Sequence, residues 1–566
     1  MKKLSILLLI LSLAASCALA DSAVYQETVD GFGGPMTVEV TLNGETIERV
    51  EVTANTETSG IGTNAVEQLP GRIVAQQSVA VDAVAGCTIS SGAILKAVTD
   101  ALTEAGLDPQ NYMASSEKEA SGETIELSCD VVVVGAGAAG LAAASKAKED
   151  GASVILLEKT GFTGGNSALS TGILHLGHTD IQAAAGIEDS VEAFEAFAMA
   201  KSGGHRDPVQ VHMIGAWGND AANWLVQAGV TLSDKVSLIT GGDSIPRGHQ
   251  ALPNAAAMAK GMTEHAESIG VDLRLNTAAT ELVTEDGSVV GVTAKDADGN
   301  TLSIRAKKTI LAAGGFAADP AMMTKYWGMD NIGYTGAPGA TGEMLEACLA
   351  LGADTVDIDI PWLTPTVEKD RNVLVTAMML ANGAILVDSH GNRFCDEEAS
   401  YAEASAAVQA TGEPYVNEIF DAHVAEAVNY KFPDYYAMGI VVEADTLEEL
   451  AEKLEIPADA LTASVDAYNA AVRGESADPF GRTIVLEECN QAPFYAIRVR
   501  PGTVMSPGGL RINERCEVIT KDGSVIPNVY ATGEMTGGYR AYGYIGGDSL
   551  AHAVITGLVA GTEAAK

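Results

Sequence analysis

The feature that most constrains the fold is a strand–turn–helix–strand sequence between residues 130 and 158. Asp130 opens a run of four valines, typical of a parallel strand buried on both faces. A G-x-G-x-x-G turn follows, formed by Gly135, Gly137 and Gly140, then a helical segment and a second strand ending at Glu158. These glycines permit a tight turn, close approach of a pyrophosphate and close helix–strand packing. The helix N-terminus would hold the phosphates and Glu158 a ribose hydroxyl, so the sequence predicts a Rossmann-like dinucleotide-binding domain.

Further glycine-rich turns favour a bound flavin dinucleotide over a transient nicotinamide. Four of them lie at residues 163–167, 311–315, 530–534 and 546–549. A flavin needs several close backbone approaches along its length, and each such approach requires a residue without a Cβ. Any single turn could be an ordinary loop, but their order and spacing together indicate FAD.

The rest of the pattern divides the chain into units. Residues 35–56 alternate polar and apolar around Asn43-Gly44, which predicts a β-hairpin, and residues 91–105 predict a helix. Residues 108–124 are polar and predict a linker. Residues 362–500 lack the glycine turns and predict mixed helix and loop, as expected of an inserted cap. The sequence also predicts a hairpin-like section at 278–311 and a C-terminal helix near 548–562.

The N-terminus and the overall charge limit where this chain works and what it binds. Lys2 and Lys3 precede a short apolar run and the ending Ala18-Leu19-Ala20, which predicts a secretory signal peptide over residues 1–20. We expect export to the periplasm or cell surface, with a lipid anchor on Cys17 as the alternative to cleavage after Ala20. The net charge of −41, without a basic run, argues against a nucleic-acid partner. The cysteines form no C-x-x-C motif and no histidine cluster stands out, so we expect no metal.

Residues 129–566 resemble the flavoprotein family of soluble fumarate reductases, urocanate reductases and 3-ketosteroid dehydrogenases. The matching segments include DVVVVGAGAAGLAAA, VILLEKTGFTGGNS, ILAAGGF, NGAILVDSHGNRF, NVYATGEMTGG and GGDSLAHAVITG. The resemblance implies non-covalent FAD in a glutathione-reductase-like domain. The residues it implies along FAD are Gly135, Gly137, Ala139, Gly140, Glu158, Lys159, Asn166, Ser167, Thr171, Gly172, Ala313, Glu534, Ser549 and Leu550.

Residues 21–105 resemble an FMN-binding domain in which a separate flavin transferase esterifies the FMN phosphate to a Ser or Thr hydroxyl. Asp82, Gly86 and the acceptor Thr88 match that family's pattern, whereas Ala85 and Cys87 depart from it. The resemblance implies covalent FMN on Thr88, with the segment 57–62 beside the isoalloxazine ring. The alternative is a Ser/Thr-rich helix start capped by Ser90 or Ser91.

Together these patterns predict a multidomain chain of mixed α/β and α+β class: a small α+β FMN-binding domain before a Rossmann-like FAD domain that carries an inserted α+β cap. The expected boundaries are 1–20 for the signal peptide, 21–107 for the FMN-binding domain, 108–126 for the linker, 127–361 and 501–566 for the two parts of the FAD-binding domain, and 362–500 for the substrate-capping domain.

The substrate-binding residues of fumarate reductases are largely replaced in this chain. Ala377 and Leu380 stand where the resemblance leads one to expect glutamate and arginine, and Met505 where it leads one to expect histidine. Tyr401 occupies the proton donor's position and Tyr544 a carboxylate-clamping position. Fumarate reduction therefore does not follow from the resemblance.

The tyrosines suggest a different substrate. Phenols hydrogen-bond to carbonyl oxygens and offer apolar area to a ring. We expect a bulky, less charged enone or aryl-acrylate, with a proton from Tyr401 or Tyr544, and with Tyr542 and Arg540 nearby. Arg540 could bind a single carboxylate. The alternative for each tyrosine is a place in the interface between cap and core.

The leading expectation is an exported FMN/FAD oxidoreductase of CH–CH groups that reduces an activated C=C bond, with electrons entering through FMN from a membrane or surface donor. Two alternatives stay open: a dehydrogenase that desaturates a ring ketone, and a non-catalytic flavin electron carrier.

Overall fold

The computed structural model describes residues 22–57, 62–81, 84, 87–113, 122–239, 241–242, 244–429, 431–483 and 487–566. The predicted signal peptide with Cys17 lies outside these residues, as do most of the segment 57–62 and Asp82, Ala85 and Gly86. Within the described part of the chain, no helix is both long and apolar enough to cross a bilayer.

The N-terminal domain packs two helices on a three-stranded antiparallel sheet of order β1-β2-β3. The predicted hairpin is confirmed as β2 and β3, and the strand that precedes it was missed. The elements are β1 (Ala23–Asp30), β2 (Pro35–Asn43), β3 (Thr46–Asn55), α1 (Gly62–Gln76), α2 (Thr88–Glu104) and a 3-10 turn (Pro109–Tyr112). The sheet alternates buried and exposed residues, as Val38 and Val40 show, so one face meets the helices and the other meets water.

The FAD domain is built on an eight-stranded sheet whose central path runs β10-β11-β12-β4-β5-β9. The first part comprises β4 (Thr124–Val134), α3 (Ala138–Glu149), β5 (Val154–Leu157), α4 (Gly165–Leu169), β6 (Ile173–His175), α5 (Asp180–Ala184), α6 (Val191–Lys201), α7 (Pro208–Ala216), α8 (Gly218–Gln227), β7 (Thr231–Ser237), β8 (Gly248–Leu252), α9 (Ala255–Ser268), β9 (Asp272–Arg274), β10 (Ala278–Glu285), β11 (Ser288–Lys295), β12 (Thr301–Leu311), α10 (Pro320–Trp327), β13 (Gly333–Tyr334), α11 (Glu343–Ala350) and β14 (Thr355–Val356).

The C-terminal residues return to this sheet. They form β20 (Gly509–Leu510), β21 (Glu517–Ile519), β22 (Val525–Ala531), a 3-10 turn (Gly533–Met535) and α18 (Asp548–Ala564). Strand β22 pairs parallel to β12, and β4 pairs parallel to both β12 and β5, which is the predicted doubly covered sheet. Helix α18 is buried almost throughout and lies against α3, because Gly557 and Gly561 bring the two backbones into contact.

The cap holds more sheet than the sequence indicated. Its elements are β15 (Thr364–Glu368), α12 (Met378–Ala381), β16 (Ile385–Val387), α13 (Tyr401–Ala410), β17 (Val416–Asp421), α14 (Ala422–Ala427), α15 (Phe432–Ala437), β18 (Val441–Ala444), α16 (Leu447–Leu454), α17 (Ala458–Val472) and β19 (Phe494–Thr503). The expectation of mixed helix and loop was wrong for these strands. Strands β15, β16 and β17 are buried on both faces and therefore lack the alternation that reveals a strand.

The linker predicted at 108–126 is structured at both ends. Tyr112 is buried, and its hydroxyl donates to the Glu45 carbonyl oxygen of the N-terminal domain. Strand β4 begins at Thr124, seven residues before Val131, the first valine of the run. It is this long because β12 pairs with it from end to end. Residues 114–121 lie outside the described part of the chain.

Candidate active site

A cavity of about 810 Å³ lies at the carboxyl ends of β4, β5 and β12, where Val134, Leu157 and Ala312 line it. This edge of a parallel sheet is where α/β folds bind their ligands. The cap contributes Trp362 and the segment 372–374 to the wall, and the N-terminal domain contributes Phe32. Three parts of the chain therefore enclose one space.

The glycine turn after β4 is built for a dinucleotide. Gly135 has a φ of +99°, and a Cβ there would overlap with the Ala312 carbonyl. A Cβ on Gly140 would overlap with the Gly135 carbonyl, so both positions require glycine. Gly137 differs, because a Cβ there would meet only the Gly164 carbonyl oxygen at 3.8 Å. Gly137 also precedes α3 without a side-chain cap, which leaves the helix amides open to a phosphate. The geometry fits FAD.

This difference between the glycines gives a prediction. Gly137→Val should leave the fold intact but fill the space that the pyrophosphate needs, so FAD retention should fall by at least about tenfold, the equivalent of 1.4 kcal/mol. The measurement is the flavin-to-protein ratio by absorbance after gel filtration. Gly140→Val is the contrasting variant and should fail to fold. Full FAD content in Gly137→Val would show that the phosphates bind elsewhere.

Glu158 and Lys159 both line the cavity and both have protein partners. The Glu158 carboxylate accepts from the Ala136 and Thr160 amides, each at 2.8 Å, and from the Thr160 hydroxyl. These bonds fix the carboxylate at the end of β5, where a ribose would lie. The Lys159 ammonium contacts Glu343 at 3.0 Å and the Thr341 hydroxyl.

Asn166 and Glu534 are joined in one buried network. The Asn166 amide donates to Glu534 Oε2 at 2.7 Å, and the Ser506 amide donates to Glu534 Oε1 at 3.0 Å. Burial raises the pKa of Glu534, and the hydrogen bonds from Asn166 and Ser506 oppose that rise. The network ties α4 to the loop after β22 and to the end of β19, so it shapes the middle of the cavity.

The other residues expected along FAD fall into two groups. Ala139, Ser167, Thr171, Ala313, Ser549 and Leu550 lie on the cavity wall. Gly140 and Gly172 lie behind it, and a Cβ on Gly172 would press on the Ala255 amide. Thr88 begins α2, but its side chain is outside the described part of the structure. The assignment of all these residues to FAD and FMN stays a prediction.

An aromatic cluster borders the cavity. The Tyr544 ring lies 5.7 Å from the Trp362 ring, whose centroid is 6.2 Å from that of Tyr401. Tyr544 and Trp362 line the cavity, whereas Tyr401 lies behind Trp362 and is 44% exposed. Burial raises the pKa of both phenols, with Glu398 adding to the rise for Tyr401. Trp362 was missed, and its only sequence signal was its position at the expected cap boundary.

Tyr542 lies away from the cavity, whereas Arg540 lines it with most of its donors already engaged. Tyr542 stacks on His205 at 4.5 Å and lies outside the described lining of the cavity. Arg540 is 6% exposed and donates to the carbonyls of Gly533 and Thr536, with His552 Nδ1 at 3.1 Å. Burial lowers the pKa of the Arg540 guanidinium to about 10. Both Nη atoms are engaged, whereas Nε has no hydrogen-bond partner among the described residues, so the expected contact with a single carboxylate stays a prediction.

The N-terminal domain reaches the cavity through the turn between β1 and β2. Glu57 accepts from the Phe32 and Gly33 amides at 3.0 and 3.1 Å and fixes this turn. Arg371 of the cap donates to the Gly31 carbonyl oxygen at 3.1 Å, and Phe32 lines the cavity. Elsewhere in the interface, the Gln68 amide donates to the Gly161 carbonyl oxygen at 3.3 Å. Sequence reasoning missed Phe32 and Arg371, since their role arises only from the docking of domains.

Comparison with known proteins identifies two families. The FAD binding domain family matches residues 130–550, and the FMN-binding domain family matches residues 31–103. The chain is 34% identical to an NADH:fumarate oxidoreductase of Klebsiella pneumoniae over 96% of its own length, and it spans 58% of that relative. It is 33% identical to a urocanate reductase of Eggerthella lenta, covering 98% of this chain and 94% of the relative.

A solved structure supports the same grouping. The open conformation of a flavocytochrome c3 fumarate reductase superposes with a TM-score of 0.73 at 32% identity, covering 78% of each chain. The chain therefore belongs to the FAD binding domain family and is an FAD-dependent oxidoreductase acting on CH–CH groups, with an additional FMN-binding domain.

Proposed function

We propose that this chain reduces an activated C=C bond in an aryl-acrylate or enone rather than in fumarate. The observation that carries the proposal is the electrostatics of the cavity wall. Its described residues include the carboxylates Glu158, Glu343, Asp434 and Glu534 but only three cations. Lys159 is paired with Glu343, Lys431 lies 3.8 Å from Asp434, and both Nη atoms of Arg540 donate to backbone carbonyls.

A dicarboxylate is a poor ligand for such a wall. Its two charges would lose water, and the described wall offers them a single guanidinium whose two Nη atoms are already engaged, so at least one charge would be buried without a guanidinium partner, which is costly. The described aromatic side chains Tyr544 and Trp362 instead offer apolar area and a hydroxyl donor to a ring-bearing, less charged substrate. The names of the relatives, with fumarate and urocanate as substrates, support reduction of a C=C bond conjugated to a carboxylate.

In this proposal the protein orients the substrate and delivers the proton. FAD, when bound, supplies a hydride to the electron-poor carbon. Tyr544 donates a hydrogen bond to the substrate's oxygen or a proton to the adjacent carbon, and Tyr401 is the second candidate donor. Trp362 covers the substrate and limits the access of water. Both phenols are protonated at neutral pH, and their raised pKa values extend the protonated form to higher pH.

The direction of the reaction distinguishes the proposal from its alternatives. Under anaerobic conditions the flavinylated protein should oxidise reduced viologen when offered cinnamates or enone steroids. It should be much slower with the saturated counterparts and an oxidised dye. Faster oxidation of a saturated ring ketone would establish a dehydrogenase, and flavins reoxidised only by partner proteins would establish an electron carrier.

We further propose that electrons enter through FMN attached covalently to Thr88 by a flavin transferase. In this account the chain is exported and receives electrons from a membrane or cell-surface donor, with a lipid anchor on Cys17 as a variant form. The FMN-binding domain match supports the flavin, and the Asp82-to-Thr88 pattern supports the attachment residue. A tethered FMN suits an exported protein because it is not lost by diffusion.

Thr88 provides a direct test of the attachment. Thr88→Ala, produced together with a transferase, should lose covalent FMN completely while retaining FAD, because the acceptor hydroxyl is gone. Mass spectrometry of the denatured protein measures the adduct, and Thr99→Ala in the same helix is the control. An unchanged FMN adduct in Thr88→Ala would place the attachment on another residue.

A further inference from the structure

Arg206 is a buried arginine between α6 and α7, and it is not among the described residues that line the cavity. It is 3% exposed, and its guanidinium lies 4.6 Å from the centre of the Tyr539 ring. We propose that Arg206 is a positioning residue: its single guanidinium ties both ends of the segment 543–548 and thereby fixes Tyr544 in the cavity wall. The inference deepens the proposed function and rests on it.

The first end of the segment is tied through backbone carbonyls. Arg206 Nη2 donates to the Gly543 carbonyl oxygen at 2.8 Å, and Nε donates to the Tyr542 carbonyl oxygen at 3.4 Å. Gly543 has a φ of +63°, and a Cβ there would overlap with the Lys201 carbonyl at the end of α6. The backbone just before Tyr544 is therefore pressed against α6 and bonded to Arg206.

The second end is tied through a carboxylate. Arg206 Nη1 lies 2.7 Å from Asp548 Oδ2, and His175 Nδ1 lies 2.5 Å from Asp548 Oδ1. Asp548 is the first residue of α18 and is 4% exposed. Burial opposes its ionisation, but His175 and Arg206 together hold its pKa below the ordinary value, so the ion pair persists at neutral pH.

Tyr544 depends on this tie for its position. The residue lies between the two tied ends and is 50% exposed, and its described ring contact is with Trp362. A half-exposed side chain with so little packing takes its place mainly from its backbone. Because guanidinium geometry is planar and fixed, Arg206 can set both ends at once, whereas a lysine ammonium offers one flexible point of contact.

The test compares Arg206→Lys with Arg247→Lys in the flavinylated chain. Arg247 is also fully buried and pairs with Asp189 at 2.7 Å, but it lies in the β6-β8 region rather than on the 543–548 segment. Arg206→Lys should lower kcat about 10–100-fold, since displacement of a reacting group by about 1 Å has effects of this size. In a Tyr544→Phe background the same change should have little effect, and Arg247→Lys should lower kcat equally in both backgrounds.

A second readout is independent of turnover. The protein is labelled with fluorotyrosine, and the ¹⁹F resonance of Tyr544 is assigned as the one that disappears in Tyr544→Phe. It should be single and narrow in the wild type, broadened or split in Arg206→Lys, and unchanged in Arg247→Lys. If Arg206→Lys does not fold, Asp548→Asn is read in the same way.

The outcomes separate the two claims. No loss of activity in Tyr544→Phe would overturn the proposed role of Tyr544 itself. A clear loss in Tyr544→Phe, combined with an unchanged Tyr544 resonance or an undiminished effect of Arg206→Lys in that background, would overturn the positioning role alone.

Discussion

Tyr544→Phe is expected to lower turnover of the preferred unsaturated substrate by about 10²–10⁴-fold, the usual contribution of a positioned proton donor. The residue lines the cavity, and its ring centroid lies 5.7 Å from that of Trp362, compared with 6.2 Å for Tyr401. Phenylalanine keeps the ring and removes only the hydroxyl, so FAD content should stay unchanged. The measurement is anaerobic steady-state turnover with reduced viologen, normalised to bound FAD.

The pH dependence follows from the same residue. A donor acts in its protonated form, and the pKa of Tyr544 is raised above its ordinary value of 10. Ionisation of this phenol should therefore cause little loss of kcat between pH 7 and 9. Tyr401→Phe is the matched comparison, because Tyr401 lies behind Trp362 and is expected to matter less. A larger loss of kcat in Tyr401→Phe than in Tyr544→Phe would identify Tyr401 rather than Tyr544 as the main donor.

Glu418→Gln is expected to make the protein more stable at pH 8 than the wild type, while having little effect near pH 4.5. Glu418 lies on β17 in the core of the cap and is fully buried. Neither of its carboxylate oxygens has a hydrogen-bond partner among the described residues. Burial, together with the nearby Glu397 carboxylate, raises the pKa of Glu418 to about 8 from an ordinary value of 4.5.

The direction of the effect follows from proton linkage. The folded protein holds this proton up to about pH 8, whereas the unfolded chain releases it near pH 4.5. The contribution of Glu418 to the free energy of unfolding therefore falls as the pH rises from 4.5 to about 8, and it stays constant above about pH 8. At 1.36 kcal/mol per pKa unit, the difference amounts to about 3–5 kcal/mol, and a neutral glutamine would remove it.

Denaturant unfolding of the wild type and Glu418→Gln at both pH values measures this difference. Glu397→Gln is the contrasting variant, because Glu397 neutralises Arg393 and Arg482 at 2.8 and 3.0 Å. Its loss should destabilise the cap at both pH values, since it leaves the buried Arg482 guanidinium without its carboxylate partner and Arg393 with Asp478 alone. Equal stability changes for Glu418→Gln at pH 4.5 and pH 8 would show that Glu418 is already ionised in the folded state.

The parts of the fold that sequence reasoning predicted well are those encoded locally. The turn at Gly135 and Gly140 was predictable because the motif lies within a single strand–turn–helix unit, in which a Cβ on Gly140 would overlap with the Gly135 carbonyl, although the contact that requires glycine at 135 is made with Ala312 after β12. The parallel pairing of β4 with β5 follows from the same unit. In the cap, β17 escaped prediction because a strand buried on both faces has no alternating pattern.

For the candidate site, the sequence predicted which types of residue are present but not which of them meet. The cluster of tyrosines and the absence of the expected arginines pointed to a less charged substrate. Which residues meet was not predictable, since Trp362 comes from the start of the cap and Tyr544 from the FAD domain. Arg540 shows the same limit in part: the carbonyls of Gly533 and Thr536 are close to it in sequence, but His552 reaches it only through the packing of α18. Arg206 gave no sequence signal, because its partners are backbone atoms and a distant aspartate.

The central claim is that the cavity accepts a ring-bearing, less charged unsaturated compound in preference to a dicarboxylate. The most direct test is the ratio of kcat/KM values for the best aryl-acrylate or enone and for fumarate, measured anaerobically with reduced viologen on the same flavinylated preparation. The missing carboxylate partners predict a ratio of at least about 100 in favour of the less charged substrate. A kcat/KM for fumarate equal to or above that of every aryl-acrylate and enone tested would contradict the account.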